Sequence, residues 1–162
     1  MRNRNLPIIA ISLLAIGLGI MLEGDFHASY VHPLDEARGM LSHIQATSNL
    51  AEIHGELVEI KRLLPASGNP VLINPTGETD FGLMQSDLES MLGTVNSISS
   101  VSEQSQNFHT GMLNIHAQST TITFNLLDAT PYMYMNLQFV LANAMWLLGV
   151  NGVIQYAGTK RK

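Results

Sequence analysis

Two long uncharged runs stand near the ends of the chain, and a stretch of mixed apolar and polar positions separates them. The first, Leu6 to Leu22, reads LPIIAISLLAIGLGIML, seventeen residues without a charge. As a helix it is about 25 Å long, near the lower limit for crossing a bilayer core. The second, Tyr132 to Tyr156, holds twenty-five uncharged residues. Both exceed the apolar runs of ordinary core helices, so the pattern predicts transmembrane helices over 6–22 and 132–156.

Between them the period changes. Leu50, Ile53, Leu57, Ile60 and Leu64 recur at alternating threes and fours, the spacing of a coiled-coil seam, with Glu52, Glu56, Glu59, Lys61 and Arg62 on the outer faces. Pro65 stops that helix. Residues 65–79, PASGNPVLINPTGET, carry three prolines and two glycines and predict a hairpin tip. A second seam follows at Phe81, Met84, Leu88, Met91, Val95 and Ile98. Its register continues through Ser102, Ser105, His109, Met112 and His116. Such a hairpin is apolar far from the membrane and polar close to it, and a polar seam needs water, a ligand or a partner chain. Residues 23–33 read as an irregular lead-in, the β-branched 120–124 (TTITF) as a weak point, and Pro131 as the start of the second span.

The expected fold is therefore all-α. Two transmembrane helices flank an antiparallel, coiled-coil-like helical hairpin over 23–131, with helices near 34–64 and 80–130. A lone hairpin buries one stripe per helix and makes a thin core. Assembly is expected, either as a homodimeric four-helix bundle or against other membrane subunits.

Charge orients this layout. Five of the eight Lys and Arg residues lie at the extreme ends, in 1–5 and 157–162, and all thirteen acidic residues lie between Glu23 and Asp128. Basic flanks stay inside. The expected protein is thus a two-pass protein of the cell membrane with both termini cytoplasmic. Residues 23–131, with a formal charge of −10, form an acidic extracytoplasmic domain. Cleavage of the first run as a signal peptide is the competing reading. Phe26-His27-Ala28 puts a large residue where cleavage needs a small one, which favours an uncleaved anchor. A segment this acidic repels phosphate, so no nucleic-acid partner is expected.

Within the second run Asn136, Asn143 and Asn151 fall at spacings of seven and eight and mark one helix face. Amides in hydrocarbon are costly unless they meet another helix. Gly149 and Gly152, with Ala15 and Gly19 of the first run, offer close backbone approach. These seven residues are the candidate packing positions, either between the two helices of one chain or against a larger complex. Tyr132, Tyr134 and Tyr156 suit an interfacial aromatic belt, and mid-span Trp146 suggests a packed position.

The six histidines all lie in the outer segment. His43 and His54 stand about 16 Å apart along a helix and His109 and His116 about 10 Å, too far for either pair to chelate alone. Folding the hairpin about its tip sets Met112 level with His32 and brings His116 near His27. His27, His32, His109, Met112 and His116 are therefore the candidate metal ligands, with copper or zinc as the metal that imidazole and thioether favour. No established metal-ligand spacing supports them. There is no cysteine. Nucleophile-elbow, Walker, dinucleotide-binding and HExxH motifs are missing too, so no catalytic residue is nominated and the chain is not expected to be an enzyme by itself.

The order of membrane helix, outer helical hairpin and membrane helix resembles the sensing half of a bacterial or archaeal chemoreceptor, in architecture and without a shared motif. That resemblance implies a ligand-binding module whose signal leaves through a partner, since the stretches expected inside are five and six residues long. In size and layout the chain is also similar to small helical accessory subunits of archaeal ammonia monooxygenase-like copper complexes. That likeness implies a non-catalytic subunit of a metal-dependent membrane oxidoreductase. The partner-seeking face of the second span favours the subunit over the sensor.

Overall fold

The computed structural model describes residues 6–159. The basic residues Arg2, Arg4, Lys160, Arg161 and Lys162, on which the expected orientation leans, lie outside the described residues. Every regular element among the described residues is helical. Six α-helices occur in order: α1 Leu6–Phe26, α2 His32–Ala46, α3 Leu50–Leu63, α4 Phe81–Ile98, α5 Gln106–Met133 and α6 Leu137–Thr159. A π-helical turn, His27–Val31, stands where an irregular lead-in is expected, and a 3-10 turn, Gly77–Thr79, precedes α4. The chain divides into two compact units. One joins the terminal segments up to Tyr30 and from Tyr134; the other is Val31–Met133.

The first unit is the antiparallel pair α1 and α6. Both are long and apolar enough to cross a membrane. Most of their large side chains, Ile11, Leu14, Leu147 and Leu148 among them, are exposed.

The second unit departs from the expected hairpin. Neither arm is one helix. The span 34–64 breaks at 47–49 into α2 and α3, and 80–130 breaks at 99–105 into α4 and α5. The first break has a geometric cause. Ile44 and Ile53, both fully buried, are nine residues apart and would face opposite sides of a continuous helix. The turn aims both inward. Asn49 then caps α3, its side-chain oxygen accepting from the Ala51 and Glu52 amides, while its Nδ2 donates to Glu52 at 2.9 Å. At the second break the Ser105 hydroxyl accepts from the Phe108 amide at 3.1 Å and starts α5 in a new register. Its buried seam is Phe108, Met112, Ile115, Ser119, Ile122, Leu126 and Ala129. The extrapolated polar seam through Ser102, Ser105, His109 and His116 is not formed. The 120–124 stretch stays helical, with Thr120, Thr121 and Thr123 back-bonding to carbonyls four residues earlier.

The four helices close a ring in which α2 packs on α3, α3 on α4, α4 on α5 and α5 on α2. Their inward faces form one cluster that includes Leu34, Leu41, Leu57, Met84, Leu88, Met91 and Ile122. One chain therefore supplies the four-helix core for which a homodimer is expected, and the thin-core argument for a partner lapses. Segment 65–79 is also displaced from its expected place. It lies beside the C-terminal turns of α5, at the bundle end where the chain enters at Val31 and leaves at Met133, not at the far tip.

Candidate functional site

The α1–α6 pair packs through small residues. A Cβ at Gly149 would stand 2.5 Å from Ile16 Cγ1 and 2.6 Å from the Ser12 carbonyl oxygen. One at Gly152 would collide with the Ser12 hydroxyl, and one at Gly19 would lie 2.9 Å from the Ala142 carbonyl oxygen. Ser12 is buried and donates to Ile8 O at 2.8 Å, so its hydroxyl is satisfied within its own helix. Ser12, Gly19 and Phe26 recur at sevens and make the inward stripe of α1. That period, with Ala142 opposite, is the signal that the Ala15–Gly19 pair misses; Ala15 itself is half-buried. Trp146 reaches this seam by its backbone and Cβ while its side chain is largely exposed.

At the other end of the pair Phe26 is fully buried among the rings of Tyr30, Tyr134 and Phe139, with centroids 5.1–5.5 Å apart for the Phe26–Tyr134, Phe26–Tyr30 and Tyr134–Phe139 pairs. Gln138 ties the helices by donating to Asp25 Oδ2 at 2.8 Å and to Leu22 O at 3.3 Å. His27 lies edge-on to Phe26 and Tyr134.

The amide stripe lies elsewhere. Asn136 precedes α6 and accepts from the Gln138 amide at 2.9 Å, a capping role. Asn143 and Asn151 are exposed, on the face turned away from the seam of Ala142, Gly149 and Gly152. Each donates one N–H to the carbonyl four residues back, Phe139 O at 2.8 Å and Leu147 O at 2.9 Å. An amide has a second donor hydrogen and an acceptor oxygen. Both side chains therefore retain hydrogen-bonding capacity on the outward face of an apolar helix.

The structure does not gather the candidate metal ligands. His32 opens α2 and is exposed, 3.7 Å from Glu36. His116 lies at the opposite end of α2, its Nε2 3.3 Å from Thr47 O, which puts it about 22 Å from His32 along that helix. His109 is a further turn or two beyond, and Met112 points into the bundle core. The level at which the hairpin was to align them vanished with the helix breaks. His27 belongs to the other unit. Among the described residues no three His, Cys, Asp or Glu side chains converge in a metal-binding group.

Charged contacts tie the outside of the bundle. Lys61 bonds Glu89 at 2.7 Å from α3 to α4, and His43 meets Glu56 at 2.6 Å from α2 to α3. Hydrogen bonding to Lys61 holds the Glu89 carboxyl below its ordinary pKa, and Arg62 does the same for Glu59. Gln85 donates to Lys61 O and Leu64 O and so satisfies carbonyls left open at the end of α3. Among the described residues the buried polar side chains are Ser12, Thr79 and Ser119. No family model, curated protein or solved structure matches the chain.

Proposed function

We propose that this chain is a non-catalytic accessory subunit of a multisubunit membrane complex. In this reading α1 and α6 hold it in the bilayer with both termini cytoplasmic, and the acidic bundle over 31–133 stands outside. The observation that carries the reading is the outward face of α6, where Asn143 and Asn151 expose unsaturated amides on a helix apolar enough to span lipid. Intrachain packing already uses the opposite face, so a neighbouring transmembrane helix is the natural partner for these amides. A metal-dependent oxidoreductase, such as an ammonia monooxygenase-like copper complex, remains a host consistent with the size and layout. Such a host would bring its own metal ligands, because the histidines here stand apart. The sensor alternative rested on a polar seam, and the buried face of α5 is apolar except for Ser119.

Purification in mild detergent followed by native mass spectrometry tests the proposal. The wild-type chain should leave the membrane with a stoichiometric partner. Asn143→Leu with Asn151→Leu should weaken retention roughly tenfold, as two interhelical amide contacts near 0.6 kcal/mol each imply. A chain that emerges alone, or a partner held equally by the double variant, overturns it.

A further inference from the structure

The segment between α3 and α4 offers an exposed apolar pair that the bundle does not use. Leu72 and Ile73 are 77% and 82% exposed, the two highest values among the exposed large apolar side chains of the described residues. The backbone beneath them is fixed. Asn69 Nδ2 donates to Thr76 O at 2.8 Å, and Asn69 Oδ1 accepts from the Val71 amide and the Thr79 hydroxyl, each at 2.9 Å. Val71 is buried and anchors the loop, and Gly68 O accepts from the Phe81 amide at 2.9 Å. No residue from Pro65 to Gly77 carries a charge. A built loop thus presents a leucine and an isoleucine outward.

Its position in the fold argues for one occupant. Ile73 lines an open groove of about 520 Å³ together with Glu78 of its own segment and Leu127, Asp128, Pro131 and Tyr132 of α5. That is the bundle end through which the chain leaves. Leu137, the first residue of the second membrane-spanning helix, is four residues beyond Met133, at most about 14 Å of chain. On the membrane-spanning reading of α6, a tether this short keeps this end of the bundle close to the lipid headgroups. Glu78, Asp80 and Asp128 flank the segment, so attraction to anionic lipid does not drive contact; apolar insertion does. Two exposed side chains are too few to hold a free protein on a membrane. Tethering makes the encounter intramolecular, and a weak insertion then suffices.

We infer that the Leu72–Ile73 tip docks into the interfacial layer of the same bilayer that α1 and α6 cross, a third membrane contact that fixes the bundle against the surface. The inference rests on the membrane-spanning reading of those two helices. Because the chain has no cysteine, single labels can be placed cleanly. Ile73→Cys, Leu72→Cys, Ser100→Cys at the far end of the bundle and Leu148→Cys on α6 would each carry a nitroxide, in the full chain reconstituted into phosphatidylcholine–phosphatidylglycerol nanodiscs. Collision rates with oxygen and with a neutral nickel chelate give the environment of each label. The oxygen-to-nickel ratio at positions 72 and 73 should be severalfold above that at 100 and approach that at 148. Equal ratios at 73 and 100, with 148 still in lipid, sink the docked loop and leave the spans intact. Labels at 72 and 73 shielded from both reagents mean that protein covers the tip, which also overturns it. A water-accessible label at 148 removes the membrane reading, and the loop contact falls with it.

Discussion

The two units of this chain solve the same packing problem with opposite side chains. The bundle over Val31–Met133 buries Leu, Ile, Met and Phe, and its core is built from volume. The α1–α6 pair leaves Ile11, Leu14, Leu147 and Leu148 exposed and turns Ser12, Gly19, Ala142 and Gly149 inward. Water explains the first choice, since removing large apolar area from water is what stabilises a soluble core. The second follows another rule. Apart from Phe26 at one end, these helices bury small residues and expose large ones, a pattern that gains from close van der Waals contact and suits the membrane-spanning reading of the pair. The contrast lies in which side chains each unit turns inward.

The largest effect that bears on this contrast belongs to the bundle. Leu88 is fully buried in its core. Leu88→Ala removes transfer energy and leaves a cavity, at a cost of about 2–5 kcal/mol. Denaturant unfolding of the detergent-solubilised chain, followed by far-ultraviolet circular dichroism, should register the loss. Emission from Trp146, the one tryptophan and a resident of the helix pair, should not change at the denaturant concentrations where the bundle melts. Concerted loss of both signals would break the division into two packing regimes.

The converse substitution is smaller. Gly149→Leu inserts side-chain volume where even a Cβ meets Ile16 and the Ser12 carbonyl, so the helices must part. Overpacking of this kind costs about 1–3 kcal/mol. Trp146 emission should shift, because its Cβ sits in the same seam opposite Gly19, while the bundle's unfolding midpoint stays put. An added leucine that stabilised the pair would mean that its packing is driven by apolar area after all.

How far the sequence discloses these features follows from the same physics. The helical class and the two long apolar helices are legible because composition alone marks them. The four-helix bundle is harder to see because its two inner turns contain neither proline nor glycine. Thr47-Ser48-Asn49 and Ser99 to Ser105 interrupt helices by offering side-chain oxygens to the backbone, a weaker signal than Pro65 gives. Asn49 followed by Glu52, and the opposed phases of Ile44 and Ile53, carry the information for anyone who sums the angles. The candidate histidine cluster depends on a helix register across the whole hairpin, and a single turn shifts every level that follows it. The close packing of α1 shows as a period of seven through Ser12, Gly19 and Phe26, whereas an isolated Ala15–Gly19 pair catches half of it.

The smallest expected effect comes from the exposed ion pairs, and its sign separates the units once more. Glu59 with Arg62 and Glu89 with Lys61 lie on the bundle surface, and in both the carboxyl pKa is lowered mainly by hydrogen bonding to the cation. A carboxyl whose native pKa is depressed contributes stability that is complete above its unfolded value and fades as pH falls through the native one. The bundle should therefore lose a small increment below about pH 4, where unfolded carboxylates begin to protonate. Glu59→Gln with Glu89→Gln should flatten that acid slope and leave stability at neutral pH almost unchanged, because exposed pairs are screened by water and salt. Added salt should mimic the double variant. Trp146 emission should ignore both, since neither pair belongs to the helix pair that holds it. A loss at neutral pH as large as that of Gly149→Leu would mean that surface charge helps to hold the bundle together, and that volume in the core is not its main support.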